Sequence, residues 1–238
     1  ASEADEYLTT GWLGRFFDQN HLGYPEGYPS AQYPDPFALT IGGGISETCQ
    51  GQSGSYAMSI VDPLNPGQVN LGTSSDFPDN CYGNELEYVR SVALQANAYA
   101  STIQQAAESG TNVSTKYADD NPLAQKMKTV AQLISGGLKT KVYVVSIGTF
   151  DLHSAQVDPN NTSSGRHAEL LAYVSDAICA FQEDMVQQGL EERVLGMTYS
   201  EFGRRIRSNN SDGTDHGTAA PMFLFGSCVE PQVTGDDA

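Results

Sequence analysis

Hydrophobic spacing changes character about a third of the way along the chain. From residue 83 onward, helical recurrence of apolar positions alternates with short β-branched runs. "NELEYVRSVALQANAYASTIQQAAES" places Leu86, Val89, Val92, Leu94, Ala96, Tyr99 and Ile103 at helical spacing and stops at Gly110. "NPLAQKMKTVAQLISGG" predicts a second helix, with Asn121 as N-cap, Pro122 in the first helical position and Gly136-Gly137 as the stop. "KVYVVSIG" has the β-branched character of a strand covered on both faces. "GRHAELLAYVSDAICAFQEDMVQQG" predicts a long amphipathic helix, and "RVLGMTYS" and "PMFLFG" two more strands, each reached through a polar loop. Alternation of this kind predicts an α/β fold: a mostly parallel central sheet with helices on both faces.

Residues 1–82 are richer in Gly, Pro, Tyr and Ser. One helix is expected at "GWLGRFFDQN", with Trp12, Leu13 and Phe16 on a shared face. "YPEGYPSAQYPDPF" carries too many prolines for a helix or a central strand, and reads as an ordered loop pinned by its aromatics. "FALTIGG" and "YAMSIVD" read as short strands, closed by Gly and by Asp-Pro. This loop-rich segment is expected to pack on the helix/strand core of 83–238 within a single domain over 1–238.

Composition narrows the choice of function. With 12 Lys and Arg against 29 Asp and Glu, the formal charge is −17. That disfavours binding nucleic acid, whose phosphates need clustered cations, and docking on anionic membrane. It suits cation binding, or an exported protein kept in solution by its charge. No run is long enough for a transmembrane helix. A start at Ala1 rather than Met is expected of a processed or trimmed chain. The four cysteines show no C-x-x-C spacing; a Cys49–Cys81 bridge between two loops is one possibility, and Cys179 is expected to be buried in its helix.

In α/β sheets ligands collect where loops leave the carboxyl ends of strands. "KVYVVSIG" runs into "TFDLHSAQ", which presents Asp151 and His153. "RVLGMTYS" runs into "EFGRR", with Glu201 at its tip and Arg204 and Arg205 behind, and then into "GTDHGT" with Asp215 and His216. A carboxylate and an imidazole two residues apart in extended chain point the same way, so Asp-x-His suits chelation of one cation. Asp215 is placed to orient its neighbour His216. A surface loop explains either motif alone; their coincidence at two strand ends is what marks a metal or catalytic site. If His216 meets the ends of the preceding strands, "PMFLFG" enters from that edge and runs antiparallel to its predecessor. His21 and His167 are left outside the cluster, and a solvated loop accounts for Asp158, Asn160 and Asn161, which lack EF-hand spacing.

The motifs "TGWLGRFFD", "NPLAQKMKTVAQLI", "GTFDLHSAQ", "YSEFGRR" and "GTDHGTAAPMFLFG", in this order, resemble the family called domain of unknown function 1501. Its members are usually exported bacterial proteins, and the family is similar to the alkaline phosphatase and sulfatase superfamily. The resemblance implies an alkaline-phosphatase-like fold and a divalent metal (Zn, Ca, Mg or Mn). Its ligands would be Asp151, His153 and His216, with Glu201 at a second metal, Asp215 accepting from a ring N–H and Arg204 binding a substrate anion. It implies hydrolysis of phosphate or sulfate esters by a periplasmic, cell-surface or extracellular protein. The family's opening strand, with its Gly-Gly-x-Asp-Gly-like motif, has no counterpart before "TGWLGRFFD", and Ser200-Glu201 stands where the superfamily has Asp-His. The chain is therefore expected to be an interior portion of a longer member, an incomplete copy whose nucleophile lies elsewhere or on another chain. A non-catalytic component of a surface assembly, keeping the fold for binding, is the alternative.

Overall fold

A computed structural model describes residues 7–67, 70 and 76–235. The fold is mixed α/β and divides into two compact units, residues 1–111 with 129–146, and residues 112–128 with 147–238.

The first unit is built on a three-stranded parallel sheet in the order β2-β1-β3, with β1 at Ala38–Ile41, β2 at Ala57–Ile60 and β3 at Val142–Val145. Ala38 aligns with Ala57 on one side and with Val142 on the other, and the register continues to Ile41 without a slip. All four residues of the central strand are buried, which is why "ALTI" reads as a continuous run rather than an alternating one. Helix α1 (Trp12–Asn20) buries Phe17 against Tyr24, Phe37 and Tyr56, with Leu13 at the edge of this cluster. Trp12 and Phe16 of the shared face are 49% and 57% exposed. The reason is Phe17: its ring packs 5.1 Å from Tyr56 and 5.6 Å from Phe37, and that contact sets the rotation of a nine-residue helix.

The tyrosines of the proline-punctuated loop turn inward as expected. Tyr24 stacks on Tyr56 at 4.0 Å and donates to the Ser55 carbonyl and the Gln95 side chain. Helix α2 (Cys81–Ser109) starts three residues before its apolar pattern, because Asn80 caps it by accepting from the Gly83 N–H. Cys49 is buried and Cys81 exposed, and both are free thiols, so the loops are not stapled.

The second unit carries helix α4 (Arg166–Gln187). Asn121 caps α3 (Pro122–Ser135) as expected, accepting from the Leu123 and Ala124 N–H groups while donating to the Tyr173 carbonyl of α4. Leu170, Ala177, Phe181 and Met185 are the buried stripe of α4, and Cys179 faces outward instead of in. "RVLGMTYS" and "PMFLFG" do not extend the parallel sheet. They shrink to β4 (Gly196–Met197) and β7 (Leu224–Phe225), paired antiparallel with each other. The antiparallel sense is the expected one. Gly196 pairs with Phe225, whose ring occupies the space where a Cβ at 196 would lie, so this position of the ladder needs glycine.

The polar stretch between β4 and β7 is not a loop. It forms a hairpin of β5 (Gly203–Ser208) and β6 (Thr214–Gly217), with Arg204 opposite His216 and an irregularity between Arg204 and Ser208. No alternation of apolar residues announces it, since its side chains are charged or exposed; its turn and its neighbours hold it. Among the described residues no helix is long and apolar enough to cross a membrane.

One fully buried carboxylate organises the second unit. Asp184 accepts from the Val113 N–H at 2.9 Å, Asn112 at 3.1 Å and Gln188 at 2.8 Å. Burial on its own would raise its pKa; the hydrogen bonds outweigh that and hold it below the usual range. Asp184→Ala leaves these donors unmet and is expected to cost about 2–3 kcal/mol in urea denaturation. Because the folded-state pKa is depressed, the wild-type contribution is complete above the unfolded value of about 3.9 and is lost as pH falls through the folded one. The wild-type advantage over Asp184→Ala should therefore narrow as pH falls through that range.

Candidate metal centre

Three ligand atoms from two segments meet in the second unit. His153 Nε2 lies 3.0 Å from Asp151 Oδ1, His216 Nε2 lies 2.8 Å from the same oxygen, and the two imidazole nitrogens are 3.3 Å apart. Ligands about 2.0–2.1 Å from a tetrahedral zinc stand about 3.3 Å from one another, so the triangle has the dimensions of one face of such a site. The three side chains are 47% to 57% exposed, which leaves the cluster open to water or to a substrate. The His216 hydrogen bond, with the nearby His153 and Arg204 charges, keeps the Asp151 carboxyl below its ordinary pKa. It stays ionised, as a ligand must.

Local chain geometry explains the convergence. Asp151, Leu152 and His153 lie between two non-glycine residues at positive φ, Thr149 at 70° and Ala155 at 47°. Such conformations are costly for residues with a Cβ, about 1–2 kcal/mol each. They persist because the segment is stitched to the hairpin. The Thr214 N–H donates to the Leu152 carbonyl, Ala155 to Ser211 and Gln156 to Asp212, at 3.3, 3.1 and 2.9 Å. Asn209 holds the other side: its Nδ2 donates to the His153 carbonyl and to Asp215 Oδ1, while its Oδ1 accepts from the Ser211 and Gly213 N–H groups. A Cβ at Gly213 would overlap the His153 carbonyl, so the turn needs glycine for this approach.

Asp215 serves a different histidine from the one its sequence position suggested. Its carboxylate is 3.6 Å from His153 Nδ1, an ion-pair distance, and adjacency in the chain does not bring it to the His216 ring nitrogens. The His216 ring is held by Phe202, stacked on it at 4.0 Å and 6°. Its opposite strand partner Arg204 directs its guanidinium to backbone carbonyls of Phe150, Leu152 and Thr214 and to Asp151 Oδ1, not to open solvent. Glu201 is exposed in the bend before β5 and does not belong to the cluster of three. His167 lies one step out, where the Gln156 amide contacts its Nδ1 at 3.2 Å and accepts from the Thr214 hydroxyl. Burial and the nearby Arg204 charge lower the His167 pKa.

Phe202, Asn209 and Gln156 carried no signal in the sequence. An aromatic beside Glu201, an asparagine in a turn and a glutamine after Ala155 are common residue types, and only the chain's path gives each its contact.

A family model described as protein of unknown function (DUF1501) matches residues 4–236, and the chain belongs to that family. No curated protein and no solved structure matches it.

Ala155 is exposed and makes its contacts through the backbone, so removing its Cβ relieves conformational cost without losing packing. Ala155→Gly is expected to raise stability by about 0.5 kcal/mol, the relief being partly offset by the freer unfolded chain. A thermal melt that falls rather than rises would show that the positive φ is not sustained in solution.

Proposed function

We propose that this chain is a metal-dependent hydrolase of the phosphatase and sulfatase type, acting on phosphate or sulfate esters outside the cytoplasm. The observation that carries the reading is the triangle of Asp151 Oδ1, His153 Nε2 and His216 Nε2. Two imidazoles and one carboxylate with an open side are the donor set of a catalytic zinc-type site rather than a closed structural one. Bound there, the metal would polarise an ester oxygen or activate a water. The remaining residues have simpler duties. Asp215 aligns His153, so that its Nε2 keeps a lone pair toward the cluster. Phe202 shields one face of the His216 ring. Arg205 and Arg207 are exposed on β5 and offer positive charge to an anionic ester in a chain that is otherwise strongly acidic. The parallel strands and the order of the motifs support an alkaline-phosphatase-like architecture, with Glu201 reserved for a second metal.

A second reading keeps the fold and drops the chemistry, as a binding component of a surface assembly. The exposure of Leu195, Met222, Phe223 and Leu224 around the β4–β7 pair favours it. Metal-loaded chain assayed on aryl phosphates and aryl sulfates separates the two. Hydrolysis is expected to fall at least about 100-fold toward background in Asp151→Ala and His216→Ala, together with metal content. Unchanged metal content in both variants would remove the site; metal retained without turnover on either ester would favour the assembly reading.

A further inference from the structure

We propose that Arg204 is a positioning residue, whose guanidinium holds the Asp151–His153 segment in register with the strand bearing His216, so that the ligand atoms converge before a metal arrives. The inference rests on the metal-site reading above and extends it from the ligands to what places them. Arg204 Nη1 donates to the carbonyls of Thr214 and Leu152, and Nη2 to the carbonyl of Phe150, with Asp151 Oδ1 at 3.4 Å. Phe150 and Leu152 are the neighbours of Asp151 on either side, and Thr214 stands two residues before His216. One planar group thus spans both ligand-bearing segments. Its side chain is only 17% exposed, and the guanidinium carbon lies 5.0 Å from the centre of the Phe202 ring, which itself stacks on His216. A guanidinium can do this because its donors form a rigid fork; an ammonium is a single point charge. With these donors facing carbonyls, Arg204 is not free to grip a substrate anion.

The sign of one measurement separates this role from electrostatics. A fixed positive charge beside a metal ligand repels the incoming cation, so charge alone predicts tighter metal binding when Arg204 is neutralised. Positioning predicts the reverse. Cobalt(II) titration of the full chain, followed by its visible absorption, compares wild type with Arg204→Met and Arg204→Lys. Both variants are expected to bind cobalt about 10–100-fold more weakly, the range seen when supporting partners of metal ligands are removed. Their bands should also weaken toward those of a more highly coordinated ion, while circular dichroism shows the metal-free protein still folded, with at most a modest drop in melting temperature from the lost carbonyl partners. The lysine variant matters because it keeps the charge and loses the fork. Equal or tighter binding in either variant overturns the proposal. Failure of both to fold overturns it too, assigning Arg204 to folding rather than to ligand placement. Absence of cobalt binding in the wild type removes it together with the metal site. A wild type that binds cobalt as expected but hydrolyses no ester removes only the hydrolase reading and leaves Arg204 in its place.

Discussion

The segment 150–156 has no ladder of its own; the β5–β6 hairpin and its turn take up backbone groups of Leu152, Ala155 and Gln156, and the three ligand atoms meet across that seam. The Leu152 carbonyl accepts from the Thr214 N–H of the hairpin, and the Ala155 and Gln156 N–H groups donate to the carbonyls of Ser211 and Asp212 in its turn. The polar groups of an irregular segment need partners, and here those partners also bring His216 to Asp151. Two residues held at positive φ, Thr149 and Ala155, are the local cost of bending the segment to fit. The hydrogen bonds on either side offset it. The three candidate ligand atoms stand together because the backbone places them there.

Charge is arranged around this seam at two depths. In a chain of formal charge −17, β5 concentrates Arg204, Arg205 and Arg207 in four consecutive positions, 204–207. Strand geometry then divides them. Arg204 turns inward onto carbonyls, whereas Arg205 and Arg207 remain exposed, and Arg205 contributes to lowering the pKa of Asp215 after Asn209 and His153. Elsewhere in the same unit Asp184 shows the complementary solution, a buried carboxylate satisfied by donors from Val113, Asn112 and Gln188. Both groups tie irregular chain to regular structure. A charge with several partners is well suited to that, since each bond to an ionised group is stronger than a neutral one.

Much of the secondary structure was legible because it is written in local periodicity. The helices at 12–20, 81–109, 122–135 and 166–187, the Asn121 cap and the strands at 38–41, 57–60 and 142–145 all follow patterns within one element. The grouping of Asp151, His153 and His216 was legible partly from spacing, which marked a wider set with Glu201 and Asp215, and partly from the family resemblance. Asp-x-His puts two ligands on one side of extended chain, and a histidine after a Gly-rich turn is easily brought to meet them. What failed did so where the pattern is weak or the deciding contact is distant. Phe17 rather than Phe16 faces inward because of Tyr56 and Phe37, and Gly196 stands in the middle of an expected strand.

The sequence by itself determined the α/β class, the helices and the parallel strands, because periodicity is a local property, and with the family resemblance it marked Asp151, His153 and His216 among the candidate ligands. Only the tertiary structure decided that the polar stretch 203–217 is a hairpin, that the Asp215 carboxylate lies beside the His153 ring and not its neighbour's, and that Phe202 packs on His216. It also decided where the Arg204 guanidinium points. Each of these depends on two segments separated by tens of residues meeting at hydrogen-bond distance. No spacing along one segment encodes such a meeting; it is set by where the whole backbone can satisfy its own polar groups.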